Sequence, residues 1–155
     1  MKPVTGTMSA VLGPIAIKPA GPPDTYIGVA QGMMPGVTVL ASATPGVPLA
    51  LALIASHVLE CALKAYLSRD GSDERLKRAP LNHDLGELWT LAASEGLRVA
   101  EEPPAWVQGL SGVHGSPFYL RYSTGVHGIV LPPSQTVATE LAVLLATVRE
   151  QLRVG

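Results

Sequence analysis

The chain has little charge, few aromatic residues and almost no cysteine. Of its 155 residues, 15% are charged and 5% are aromatic, and the formal net charge is −1. Because Lys and Arg are scattered, this balance excludes a protein that binds nucleic acid through bulk positive charge, although local RNA binding stays open. Apolar residues make up 47% of the chain, which excludes a solvated disordered protein.

Several motifs that mark particular chemistries are missing. Cys61 is the single cysteine, so no internal disulfide can form, and its apolar neighbours predict a buried thiol. No group of Cys and His residues has the spacing of a zinc motif, and neither a metal nor a cofactor is expected. The chain also lacks a Gly-rich phosphate loop, a Gly-x-Ser-x-Gly elbow and a paired-carboxylate motif.

Long hydrophobic runs are missing as well. The longest, residues 47–59, has 13 residues and includes His57, whereas a membrane span needs roughly 20. Pro3, Pro14 and Pro19 interrupt any signal-peptide core. We therefore expect a cytoplasmic protein that does not cross a membrane, with one domain as the simplest arrangement for this length.

Proline and glycine, by contrast, are abundant before residue 47. Seven of each fall in the first 46 positions, about 30% of them, which is typical of irregular structure. Short β-prone pieces at residues 15–17, 26–29 and 37–40 are separated by Pro–Gly turns. Residues 1–46 are therefore predicted to be an extended arm, with short β-hairpins, lying across the helices or a partner subunit.

After residue 46 the apolar residues recur at helical spacing. The pattern predicts a first helix over residues 47–68 and a second from the N-cap residue Asn82 to Gly96. A short third helix begins at Pro103–Pro104, and the last covers residues 134–153. Four such antiparallel helices predict an all-α bundle over residues 47–155.

Three polar side chains share one side of the predicted first helix. At 100° per residue, His57, Glu60 and Lys64 lie within about 60° of one another, interleaved with leucines. Half-buried charges need partners, and His83 and Arg121 are the candidates. The group forms either a polar pocket between helices or a structural network, in which Glu60 pairs with Lys64 and neutral His83 donates to a carbonyl. Both interpretations stay open.

Three motifs follow one another along the chain: His57-x-x-Glu60-x-x-x-Lys64, then His83-Asp84-Leu85, then Arg121-Tyr122 ahead of the last helix. In order and spacing, residues 49–153 resemble the HEPN superfamily of small helical domains; the Pro/Gly-rich arm is not covered. The resemblance implies a HEPN-like four-helix bundle, commonly dimeric, that works beside nucleotides or RNA. Some members are metal-independent ribonucleases, and others are non-catalytic partners of a nucleotidyltransferase.

The leading prediction is a non-catalytic, homodimeric module. It would bind a nucleotide or an RNA end, or support a nucleotidyltransferase. Its expected binding residues are His57, Glu60, Lys64, His83 and Tyr122. A purely structural dimer is a further alternative.

The second prediction is a toxin-like, metal-independent endoribonuclease. Ribonuclease members of the family carry an arginine and, four to six residues later, a histidine. Arg121 and His127, with five residues between them, meet that spacing. His127 would exchange protons with a ribose 2′-hydroxyl or a leaving oxygen while Arg121 holds the phosphate. Gly125 and Gly128 predict a loop here, which departs from the helical context of the family motif.

Two further predictions concern the region before the last helix. Phe118, Tyr119 and Tyr122 cluster beside Arg121 and form either a stacking surface for a base or, preferably, core packing between the third and fourth helices. His114 lies between Gly112 and Gly115, so it is expected in a turn with its side chain facing solvent.

Overall fold

The computed structural model describes residues 21–122 and 128–154, and this part of the chain is helical without any strand. It contains a short 3-10 helix, Glu74–Lys77, and five α-helices: α1 (Asp24–Ala41), α2 (Pro48–Leu67), α3 (Leu85–Ser94), α4 (Ala105–His114) and α5 (Ser134–Val154). The all-α fold is confirmed, and the four helices predicted from apolar spacing correspond to α2, α3, α4 and α5.

The prediction of an extended arm is wrong for residues 24–41, which form α1. Two of the three β-prone pieces lie within this helix; the piece at residues 15–17 is outside the described residues. In a strand, Val37 and Val39 would point to the same face. Val37 is instead 0% exposed and Val39 is 70% exposed, as a helical period requires. Packing of α1 against α2 therefore outweighs the local cost of Pro35 inside the helix.

The core is built around α2, which packs against α1, α3, α4 and α5. From Val58 to Leu67 every residue of α2 is buried, including Glu60 and Lys64. Two charged side chains therefore lie among apolar ones in the middle of the bundle. Such positions are stable only where each charge has a partner.

By length and composition, α2 is also the one helix of the described segments that could cross a membrane. However, 72% of its 18-residue apolar window is buried inside the protein. The central helix of a water-soluble bundle has the same character, because it is surrounded by other helices. The apolarity of α2 therefore reflects its place in the core.

The start of α3 differs from the prediction by a few residues. Asp84, and not Asn82, is the N-cap: its Oδ1 accepts a hydrogen bond from the backbone N–H of Glu87 at 3.0 Å. Asn82 lies in the turn before the helix, and its backbone carbonyl accepts from Lys64 at 2.7 Å. This contact joins the entry of α3 to the middle of α2.

Candidate functional site

Glu60 is the centre of a buried polar cluster that joins α2 to the entry of α3. Its Oε1 accepts a hydrogen bond from Lys64 Nζ at 2.7 Å, and its Oε2 lies 3.4 Å from His83 Nδ1. Glu60 and Lys64 are each 6% exposed, whereas the His83 side chain is 35% exposed. The structure thus brings three of the predicted binding residues together, with His83 on the solvent side.

His114 is a fourth member of this cluster, and its prediction as a solvent-facing turn residue is wrong. It ends α4, is 1% exposed, and places Nε2 2.6 Å from Glu60 Oε2. The sequence did contain a signal for this position, because Val107, Leu110 and His114 have helical spacing and all three are buried. The flanking glycines favoured a turn, but α4 ends only after His114.

The surroundings of Glu60 keep its carboxylate ionised. Burial alone would raise the pKa, but hydrogen bonds from His114 and Lys64, together with the charge of Lys64, lower it to about 2. An ionised carboxylate only accepts hydrogen bonds, so Nε2 of His114 carries the hydrogen. Nδ1 of His114 is buried and has no hydrogen-bond partner among the described residues.

His57 lies on the same side of α2 but contacts a different group. Its Nε2 is 3.8 Å from Cys61 Sγ. Burial lowers the pKa of His57, and the positive charge of Arg121 acts in the same direction, against the opposing effect of Glu60. Cys61 is buried, as predicted, and burial raises the pKa of its thiol to about 11. His57 and Cys61 therefore form a neutral pair beside the Glu60 cluster.

A cavity of about 380 Å³ opens beside His83. Its walls come from the entry of α3, the end of α4 and the following segment, and include Asn82, His83, Asp84, Ser111, Ser116 and Phe118. The ring of Phe118 meets His83 edge to face, with centroids 5.6 Å apart. The cavity thus reaches from solvent to the imidazole that contacts Glu60.

The aromatic residues near the cavity do not fill the core, so the preferred prediction of core packing is wrong for Phe118 and Tyr122. Tyr122 is 64% exposed and its ring lies edge to face with Phe118 at 6.3 Å. The guanidinium of Arg121 is 5.8 Å from the centre of the Phe118 ring. Leu120 is the residue of this segment that packs against the core.

Arg121 does not complete the Glu60 cluster. Within residues 21–122 and 128–154 it makes no ion pair with Glu60, and it is exposed, with its guanidinium over the Phe118 ring. His127 lies outside the described residues, so the predicted pairing of Arg121 with His127 stays a prediction. Tyr122 is next to Arg121 at the surface, apart from the buried residues His114, Glu60 and Lys64.

Comparisons with known proteins identify no relative: neither a family model, nor a curated protein, nor a solved structure matches the chain. Function therefore has to be inferred from the chemistry of the side chains. The cavity wall includes Phe118 and His83, and Arg121 and Tyr122 lie next to Phe118 at the surface. Behind it, Glu60, His83 and His114 offer atoms that bind metal ions, all within 4.8 Å of one another.

Proposed function

We propose that the protein is a non-catalytic, HEPN-like module that binds a nucleotide or an RNA end at the His83 surface. This surface consists of the cavity beside His83 together with Phe118, Arg121 and Tyr122. The observation that supports the proposal is the exposed guanidinium of Arg121, which lies 5.8 Å from the centre of the Phe118 ring, while Phe118 itself lines a cavity of about 380 Å³.

The side chains of the His83 surface can bind both the base and the phosphate of a nucleotide. Bases stack on aromatic faces, and each such contact contributes about 1–3 kcal/mol. A guanidinium binds phosphate through two parallel hydrogen bonds. The cavity volume of about 380 Å³ lies within the range of small-ligand sites. With one exposed arginine on the His83 surface and a chain charge of −1, a short ligand with few phosphates fits better than a duplex.

The buried cluster has a positioning role in this proposal. Glu60 holds His83 through Oε2, and Lys64 holds the carbonyl of the preceding residue, Asn82, at 2.7 Å. Both charged side chains are only 6% exposed, so neither contacts a ligand in the cavity directly. They orient the cavity wall, and His57 packs beside them.

The proposal extends to partners and location. A homodimer in the cytoplasm, with a nucleotidyltransferase as its partner, agrees with the HEPN resemblance of residues 49–153. The 72% burial of the apolar window in α2 agrees with a water-soluble protein.

Binding is tested by fluorescence anisotropy with a labelled nucleoside monophosphate and a labelled trinucleotide, both in EDTA. Phe118→Ala and Arg121→Ala each remove one expected contact, and each should weaken binding about tenfold, which corresponds to about 1.4 kcal/mol. Arg98→Ala is the charge-matched control, since Arg98 pairs with Glu150 at 2.9 Å outside the His83 surface. Absence of binding, or an equal loss in the control, would contradict the proposal.

A metal-independent endoribonuclease is the second candidate, and the exposure of Arg121 favours it because a catalytic guanidinium must reach a phosphate. Total RNA and tRNA are incubated in EDTA with wild-type protein, Arg121→Ala and His127→Ala. Cleavage that disappears in both variants would establish the ribonuclease and exclude a non-catalytic module. Intact RNA, together with ligand binding, is the result expected from our proposal.

A further inference from the structure

We propose that Glu60, His83 and His114 form a binding site for a divalent transition-metal ion, with Zn²⁺ as its expected occupant. The three side chains come from different parts of the fold: the middle of α2, the turn before α3 and the end of α4. Their ligand atoms all lie within 4.8 Å of one another. Two imidazoles and one carboxylate form a ligand set that zinc accepts while keeping a fourth position open.

One distance between the ligand atoms already matches a zinc site, and a second would have to lengthen. Around a tetrahedral Zn²⁺ with bonds of about 2.0–2.2 Å, neighbouring ligand atoms lie roughly 3.4 Å apart. Glu60 Oε2 and His83 Nδ1 are already separated by 3.4 Å. Glu60 Oε2 and His114 Nε2 are 2.6 Å apart because they share a hydrogen bond. To bind the ion through Nε2, His114 would carry its ring hydrogen on Nδ1 instead, and this pair would open by roughly 0.8 Å.

Lys64 determines which oxygen of the Glu60 carboxylate is available to the ion. Its ammonium binds Oε1 of Glu60 at 2.7 Å, whereas both imidazoles face Oε2. Glu60 would therefore bind the ion through Oε2 alone, with its orientation maintained by Lys64. The positive charge of Lys64 also opposes the incoming cation, so we expect weaker binding than in structural zinc sites.

The cavity supplies an entry path and the fourth coordination position. His83 lines it and has 35% of its side chain exposed, whereas Glu60 and His114 lie behind it and are buried. A water molecule or a small anionic ligand could reach the ion from the side of Ser111 and Phe118. One ligand residue at the cavity and two buried ones would suit a zinc ion that keeps an exchangeable fourth ligand.

The first test is calorimetric titration of untagged, EDTA-stripped, full-length protein with ZnCl2. We expect one Zn²⁺ per chain and a rise in the melting temperature, because an ion that binds the folded state alone stabilises it. His83→Ala should weaken binding at least tenfold, whereas the matched control His57→Ala should stay within about twofold of wild type. His57 lies on the same helix face as Glu60 but contacts Cys61.

A second measurement follows metal coordination directly and needs no variant of the buried His114. Titration with Co²⁺ gives a visible absorption spectrum whose intensity reports the coordination geometry, and His83→Ala should abolish it. Absence of zinc binding, or equal binding by wild type and His83→Ala, would overturn the proposal. Arg121→Ala should bind Zn²⁺ like wild type, and nucleotide binding is measured in EDTA, so the two proposals fail independently.

Discussion

At the level of single residues, two glycines of α4 have opposite surroundings. A Cβ atom on Gly109 would lie 2.8 Å from Cγ of Pro132, whereas nothing lies within 4 Å of the same position on Gly112. Pro132 belongs to the segment that leads into α5. The absence of a side chain at Gly109 therefore lets this segment lie directly on α4.

This difference predicts opposite effects of the same substitution. Gly112→Ala should raise the free energy of unfolding by about 1 kcal/mol, because alanine is the better helix former. Gly109→Ala gains the same helix propensity, but its new methyl group has to displace Pro132. This overpacking should leave the variant less stable than wild type by about 1 kcal/mol. Urea unfolding measures both. Equal stabilisation by the two variants would contradict the contact between α4 and Pro132.

The backbone of Phe118 has a conformation that residues other than glycine rarely adopt. Its φ is 64°, in the left-handed region, which costs a non-glycine residue roughly 1–2 kcal/mol. In this conformation the ring lies edge to face with His83 on one side and with Tyr122 on the other. Those contacts exist only in the folded chain, so the sequence could place Phe118 beside Arg121 but could not place it beside His83.

At the level of elements, the residue types of α1 favour strands and turns, whereas the burial of its side chains is helical. Tyr26–Val29 and Val37–Leu40 are rich in β-prone residues, and Pro35, a helix-breaking residue, lies inside the helix. Nevertheless Ala30 and Val37, seven residues apart, are both 0% exposed and join the core. That spacing is two helical turns. A signal for the helix was therefore present, but it was weaker than the signals from proline, glycine and β-branched residues.

The helical register of α1 is tested by two identical substitutions. Val37→Ala should lower the free energy of unfolding by roughly 2 kcal/mol, because it removes buried methyl groups and leaves a cavity. Val39→Ala should change it by less than about 0.5 kcal/mol, because Val39 is 70% exposed. Chemical denaturation compares the two variants. Similar losses in both would indicate that residues 37–39 have strand-like alternation instead.

At the level of the whole molecule, Glu60 connects three helices. The carboxylate contacts Lys64 within α2, His83 before α3 and His114 in α4. Because Glu60 is buried, loss of its charge would weaken the charge-assisted hydrogen bonds that it accepts from these groups. The stability of the bundle should therefore depend on the ionisation of this one carboxyl group.

The sign of this dependence follows from the pKa of Glu60, which is about 2 in the folded protein against an ordinary 4.5. A lowered pKa gives stability that is complete above pH 4.5 and is lost as the pH falls towards 2. The contribution is on the order of 3 kcal/mol. Urea unfolding in EDTA between about pH 6 and pH 3 should show wild type losing stability more steeply than Glu60→Gln.

The control for this measurement is Glu101→Gln, since Glu101 is exposed. It should keep the wild-type slope. Asp73 and Glu95 also have lowered pKa values, owing chiefly to Lys77 and Arg75 respectively, so some acid sensitivity remains in every variant. A slope for Glu60→Gln equal to that of wild type would show that the carboxylate does not stabilise the fold through its charge.

The spacing of residues along the chain determined most of the helices and one ion pair of this protein. The helices α2, α3, α4 and α5 follow from apolar residues that repeat every three or four positions, and that repeat is readable without any knowledge of neighbours. The pairing of Glu60 with Lys64 follows in the same way, because positions i and i+4 of a helix are adjacent. His83 was predicted as a partner of the charged residues of α2 because it lies near the start of α3. Its contact with Oε2 of Glu60 was not predicted.

Only the tertiary structure decided the rest. His114 is 54 positions from Glu60 in the chain, and no local pattern states that α4 brings it to α2. The same holds for Arg121, which lies over Phe118 instead of reaching Glu60, and for α1, whose helix depends on burial against α2. Contacts between distant segments are chosen by how the apolar faces pack, and that packing is a property of the whole chain.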